Sequence, residues 1–209
     1  MRFLNWCFVV GFLITNCSKV KSPPVYEEQN GIIAVEAEHF TAQTLAGVRQ
    51  WYRISEDTFF ENMADPDSSH AATASGKTYV ELLPDTRTNH SEKLTHGENF
   101  SNKPGELGIL SYLVYFNTPG KYYVWVRAFS TGSEDNGIHV GIDGTWPESG
   151  QRMQWCEGKH QWTWESKQRT KEVHCGEPEL IFLNIEKTGL HTIMFSMRED
   201  GFEFDKWAM

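Results

Sequence analysis

A chain of 209 residues with a formal charge of −9 has room for one substantial domain and lacks the basic field that a general nucleic-acid surface needs. Its densest cationic stretch, 167–171, is interrupted and flanked by Glu165 and Glu172, so it reads as a solvated strand rather than a phosphate-binding run. Aromatic residues make up 13% of the chain and include eight Trp, a supply from which some rings are expected to face a ligand.

Residues 1–17 have the form of a signal peptide. Arg2 supplies the positive start, and an apolar run over 3–14, broken only by Asn5 and Gly11, is too short for a membrane span. Leu13-Ile14-Thr15-Asn16-Cys17 resembles a bacterial lipobox ending in a lipidated cysteine, with ordinary cleavage nearby as the alternative. Either route predicts export, to the outer membrane as a lipoprotein or else to the periplasm or medium, with membrane contact only through the lipid. Residues 18–30, rich in Ser, Lys, Pro and Glu, read as a polar tether to a folded unit over 31–209.

Short β-type segments fill that unit, without internal repeats or a long amphipathic helix. They are predicted at 32–38, 48–54, 78–83, 107–116, 122–129, 138–142, 162–173, 180–185, 191–197 and 202–207, separated by turn signals such as Asn117-Thr118-Pro119-Gly120. In 122–129 one face carries Tyr122, Val124, Val126 and Ala128, and the other Tyr123, Trp125, Arg127 and Phe129. Strands this short need face-to-face packing, so the expected fold is an all-β, two-sheet sandwich. The stretches 55–76, 84–106 and 144–161 lack strand periodicity. Loops of that length commonly carry function.

Two acidic-apolar alternations bracket the folded unit, Val35-Glu36-Ala37-Glu38 and Phe202-Glu203-Phe204-Asp205. Period-2 spacing projects Glu36 and Glu38 from one side of the first strand, and Asp205 joins them if the first and last strands are neighbours. Gathered carboxylates call for a cation, and oxygen ligands suit a structural Ca²⁺. The alternative is a pair of exposed glutamates on an edge strand. Cys156 and Cys175 are the cysteines outside the leader, which in an oxidising compartment points to a disulfide. A metal site with His160 or His174 is the competing reading.

The motifs V-E-A-E at 35–38, P-G-K-Y-Y-V-W-V-R-A at 119–128, H-V-G-I-D-G at 139–144, W-T-W at 162–164, G-L-H-T-I at 189–193 and G-F-E-F-D-K-W at 201–207 occur in one order along nearly the whole mature chain. Together they resemble carbohydrate-binding modules of families 6 and 35 and the C-terminal domain of family 115 glycoside hydrolases. That resemblance implies a galactose-binding-like jelly roll, with calcium on Glu36, Glu38 and Asp205. It also implies sugar stacking at Trp162 and a polar contact at Glu203, where many family 6 members have Asn. Tyr79 and Glu81 are candidates for a second wall, and Trp51 and Trp146 are further stacking candidates near polar loops. Trp125 and Trp164 are expected to pack in the core or between strands.

A pyranose offers a C–H face to a flat ring and hydroxyls to a few fixed polar groups, which fits this residue set. The expected function is non-catalytic polysaccharide or oligosaccharide binding. The enzyme alternative is a hydrolase using loop carboxylates such as Glu92 and Glu98, with His70, His90 and His96 also in or beside the long loops; no G-x-S-x-G, H-E-x-x-H or P-loop motif is present. A scaffold contacting other proteins in a glycan-capture assembly is the third reading.

Overall fold

The computed structural model describes residues 22–209 apart from positions 46 and 133. The signal-peptide and lipobox readings, Cys17 included, lie outside the described residues. Within them the regular elements are strands and three-residue 3-10 turns. The first seven strands are β1 (Val25–Glu27), β2 (Ala34–Glu36), β3 (Ala42–Thr44), β4 (Gln50–Ser55), β5 (Thr78–Leu83), β6 (Ile109–Phe116) and β7 (Gly120–Tyr123). The rest are β8 (Trp125–Phe129), β9 (Gly137–Ile142), β10 (Met153–Gln154), β11 (Trp162–Glu165), β12 (Phe182–Ile185), β13 (Gly189–Met197) and β14 (Glu203–Ala208).

One sheet has the order β1-β6-β13-β9-β10, with β3 also on β6; the other runs β11-β8-β14-β5-β4, with β2 also on β14. A separate ladder joins β12 to β7. The all-β, two-sheet architecture is thus as the alternating pattern requires. Alternate residues of β6 (Leu110, Tyr112, Val114 and Phe116) are fully buried and share one core cluster with Val80, Leu82, Val126 and Ala128 of the second sheet. Aromatic edges lock the layers together: Tyr112 lies 5.3 Å from Trp207, and Phe195 lies 4.9 Å from Phe204.

The condition set for gathering Glu36 and Asp205 is met: β2 lies beside the last strand, β14, with Glu36 opposite Lys206 and Val35 opposite Trp207. A bulge at Asp205 breaks the period of β14: Phe204 pairs with Ala128, but Lys206 pairs with Arg127. The extra residue lets Phe204 and Trp207 both enter the core, which strict alternation forbids.

Several boundaries differ from the sequence reading. The tether ends early, because β1 pairs in parallel with β6 and the Glu28 carboxylate is buried, accepting the Asn117 and Thr118 N–H groups at 2.9 Å. Two adjacent glutamates look like tether, yet one of them organises a turn. In the segment 122–129 the face of Tyr122, Val124, Val126 and Ala128 is the buried one, but the segment splits at Val124, whose N–H bonds Ile181 O at 3.1 Å, so β7 and β8 join different ladders. The strand predicted at 162–173 stops at Glu165, and the one at 32–38 stops at Glu36, followed by a 3-10 turn over Ala37–His39.

Candidate functional site

Four of the six predicted ligand-binding residues converge on the outer face of the β11-β8-β14-β5 sheet. Antiparallel pairing sets Glu203 directly opposite Glu81, and Tyr79 lies one pleat along β5, its hydroxyl donating to Glu81 Oε2 at 3.4 Å. Trp162 enters from β11 with its ring edge-on to Tyr79 (5.2 Å) and to Phe129 (5.4 Å). Its Nε1–H donates to His70 O at 3.4 Å, and the Arg127 guanidinium lies 5.5 Å from its ring.

His70 closes this site. Its ring stacks on Phe129 at 3.7 Å, and its Nδ1 lies 2.8 and 2.9 Å from the two Glu203 oxygens. Glu203, Glu81 and Tyr79 are consequently buried, at 1%, 2% and 1% exposure. Glu203 therefore does not face solvent as a sugar contact, because the histidine covers both of its oxygens. Trp162 and His70 remain partly exposed.

Electrostatics here are dominated by burial. Desolvation lifts Glu81 well above the carboxylate range, the Glu203 charge adding to it. Desolvation does the same to Glu203, followed by the charges of Asp67 and Asp135. Asp65 and Asp67 are raised too, chiefly by burial, while burial lowers His70 against the pull of Asp67, Asp135 and Asp65. Two buried carboxyl groups on facing strands cannot both ionise without large cost, so each holds its proton more tightly than a free carboxyl group.

The predicted metal residues sit elsewhere on the same sheet. Glu36 Oε1 takes Lys206 Nζ at 2.8 Å and Ser75 Oγ at 3.0 Å; Asp205 pairs with Arg127 and accepts the Ser75 N–H at 2.8 Å. Glu38 follows on the 3-10 turn rather than on a common strand face. Burial, then Glu36 and Asp205, push its carboxyl up to about 7. Glu36 Oε2 and Glu38 Oε2 are buried with no hydrogen-bond partner. Among the described residues no group of three His, Cys, Asp or Glu side chains is arranged to hold a metal. The donor set is nonetheless all oxygen, and its two orphaned oxygens suit a hard cation.

Trp51 is no stacking residue. It is 1% exposed, its Nε1–H donates to Gly108 O at 2.7 Å, and Phe202 and Phe204 meet its ring at 6.5 and 6.3 Å. Trp146 is half-buried over Gly141 and Gly105, where a Cβ would collide with its ring. Trp125 and Trp164, expected in the core or between strands, are instead 46% and 41% exposed. Trp125 and Tyr123 open onto a groove of about 400 Å³ with Glu165, Ser166 and Lys167. Cys156 and Cys175 form the expected disulfide. Sequence reasoning gave no site role to Asp65, Asp67 or Asp135, and named His70 only as a loop histidine. Their one signal is that Asp65, Asp67 and His70 crowd the long loop after β4.

The model of the glycosyl hydrolase family 115 C-terminal domain matches residues 62–209, most of the folded unit. The chain belongs to that family. It is also 54% identical over 213 residues to "Uncharacterized protein P23" of Formosa agariphila, a match covering 99% of this chain and 52% of the relative. The chain thus spans about half the length of the curated relative it matches. Among solved structures it is similar to a family 35 carbohydrate-binding module from Clostridium thermocellum, at 19% identity and TM-score 0.46, covering 84% of this chain and 96% of that one. A Paenibacillus xanthan lyase is similar at 13% identity and TM-score 0.45, over 83% of this chain and 12% of that one.

Proposed function

We propose that this chain is a non-catalytic carbohydrate-binding module whose ligand is a polysaccharide or oligosaccharide. The observation that carries the reading is Trp162. Its indole is partly open to solvent, yet its plane is pinned by Tyr79, Phe129 and the bond to His70 O. A ring held this way stacks on a sugar with little further ordering, and the polar loop beside it supplies hydroxyl partners. The converging carboxylates favour binding over hydrolysis: Glu203 lies beneath His70, Glu81 is buried against the Tyr79 hydroxyl, and Glu92 is occupied by the Thr88 and Asn89 N–H groups at 2.7 and 3.2 Å.

A second ring invites the same ligand class. Trp125 is the more exposed of the two and lines the groove with Tyr123, so a separate sugar subsite there is the competing location. Structural Ca²⁺ would be held by Glu36, Glu38 and Asp205, relieving the orphaned oxygens and competing with Lys206 and Arg127 for the carboxylates. Export fits the disulfide, and anchoring would proceed through Cys17. Protein partners in a glycan-capture assembly fit the same placement.

Affinity electrophoresis in gels containing plant, algal and host glycans, with reducing-end release assayed in parallel, tests the reading. Retention without release supports it. Release identifies an enzyme, and neither result across the panel leaves the protein-scaffold reading.

A further inference from the structure

One cleft of this acidic molecule has the opposite sign. About 450 Å³ in volume, it is lined by Arg87, Arg152, Arg169, Lys171 and Arg198. A single carboxylate among the lining residues opposes them, Glu199, and it is already engaged: Oε1 takes Arg198 Nη1 at 3.1 Å and Oε2 accepts the Asn136 N–H at 3.0 Å. His90 and His174 also line the cleft. Five cations gathered against one anion in a chain of net charge −9 are an arrangement that folding alone does not favour.

The cleft is built rather than incidental. Arg198 and Arg87 are 3% and 4% exposed, and both are fixed, Arg198 over the Phe100 ring at 5.0 Å and Arg87 by its Nε–H to Glu92 O at 3.1 Å. Arg152 and Arg198 each keep a buried Nε without a hydrogen-bond partner, so donor capacity is left over. Arg169 and Lys171 come from the segment after β11. That segment is held by reciprocal Gln168–Glu177 backbone bonds of 2.9 and 2.8 Å, by Arg169 N–H to Arg152 O at 2.8 Å, and by the Cys156–Cys175 disulfide. The Arg169 charge, then burial and the Arg198 charge, lower His174, as expected where positive charge gathers.

We propose that this cleft binds an oxyanion substituent, a sulfate ester or a carboxylate, carried by the saccharide ligand. The proposal rests on the carbohydrate-binding reading and adds the ligand's charge class. A planar guanidinium matches two oxygens of either group, and several guanidiniums in a partly dry cleft discriminate strongly against a neutral sugar. The net charge of −9 works against such a ligand over the molecule as a whole, so a local cluster of cations is where it would be drawn.

The test is affinity electrophoresis of the full chain in gels holding a sulfated galactan, a polyuronate or a neutral galactan, at low and high salt, for wild type, Arg169→Gln, Arg169→Glu/Lys171→Glu and Trp162→Ala. Wild type should be retarded by at least one anionic gel more than by the neutral one, and salt should weaken the effect. The double reversal should reduce anionic retention by at least roughly tenfold, about the weight of one charged hydrogen bond, with melting temperature unchanged. Whichever anionic gel holds the protein more tightly identifies sulfate or carboxylate. Arg169→Gln, on a partly exposed loop, repeats the test with a gentler change should the double variant unfold. Anionic retention equal in wild type and both cleft variants, or no preference over the neutral gel, overturns the proposal. Neutral-gel retention lost in Trp162→Ala alone speaks to the carbohydrate reading by itself, so the two fail separately.

Discussion

Replacing Trp51 and Trp162 separately by alanine distinguishes a core ring from a ligand-facing one. Trp51 is 1% exposed and sits among Phe202, Phe204 and Leu82. Its removal empties a core site at about 3–5 kcal/mol, and the Gly108 carbonyl loses its donor as well. For a domain of this size each kcal/mol shifts the midpoint by about 2–4 °C, so Trp51→Ala should lower Tm by about 6–20 °C. Trp162 makes two edge contacts and lies 5.5 Å from Arg127. Because water still reaches the ring, each contact contributes only about 0.5 kcal/mol, and Trp162→Ala should lower Tm by about 3–6 °C. Scanning calorimetry measures both shifts, and an affinity gel measures retention. Trp162→Ala should lose glycan retention despite its small thermal cost, while a matched Trp125→Ala should keep it. Retention that survives Trp162→Ala and fails in Trp125→Ala would refute the choice of ring. Equal thermal losses for Trp51 and Trp162 would refute the burial argument beneath it.

Three further perturbations test the rest. Added Ca²⁺ at a hundredfold excess over its dissociation constant should stabilise by about 2.7 kcal/mol, raising Tm by about 5–11 °C; Asp205→Asn should abolish the response, and a wild type indifferent to both calcium and chelator removes the ion from the proposal. Reduction, or paired Cys156→Ser and Cys175→Ser, opens a loop of sequence separation 19 and should cost about 3 kcal/mol on the chain-entropy account, read from urea midpoints. Burial, then Asp200, pushes Asp85 up to about 8. The folded state then holds a proton that the unfolded chain releases near pH 4, so this contribution is complete at low pH and is lost as pH rises toward 8. Asp85→Asn should flatten the fall in Tm between pH 5 and pH 8, and an unchanged slope would contradict the assignment.

Much of the fold was legible because sheet pairing follows side-chain period. The segment 78–83 was bounded correctly, and the division of 122–129 into two faces is kept, Tyr122, Val124, Val126 and Ala128 being the buried one. What was missed has local causes. β1 and β3 are three residues each and β10 two, too short to display a period. The break at Val124 changes the ladder without changing which side chains point inward, so alternation continues through it unmarked. The bulge at Asp205 does leave a trace: polar Lys206 stands where alternation calls for an apolar residue, and the inserted residue brings Trp207 back inward.

The site was legible where strands carry it and obscure where loops do. Trp162 and Glu203 were named through the family resemblance and Tyr79 and Glu81 as a second wall beside them, and because all four lie on strands the sheet order brings them side by side. His70, Asp65 and Asp67 reach the same place from a long loop whose course no period fixes. The basic cleft was hidden more completely. Its cations stand at 87, 152, 169, 171 and 198, so no run announces them, and the one suggestive stretch was discounted for its flanking glutamates. Lys167 indeed faces Glu165 at 2.9 Å, but Arg169 and Lys171 turn into the cleft. Net charge sums a whole surface, whereas a ligand responds to the potential at one position. A total of −9 therefore argues against a general polyanion-binding surface and leaves a local one permitted.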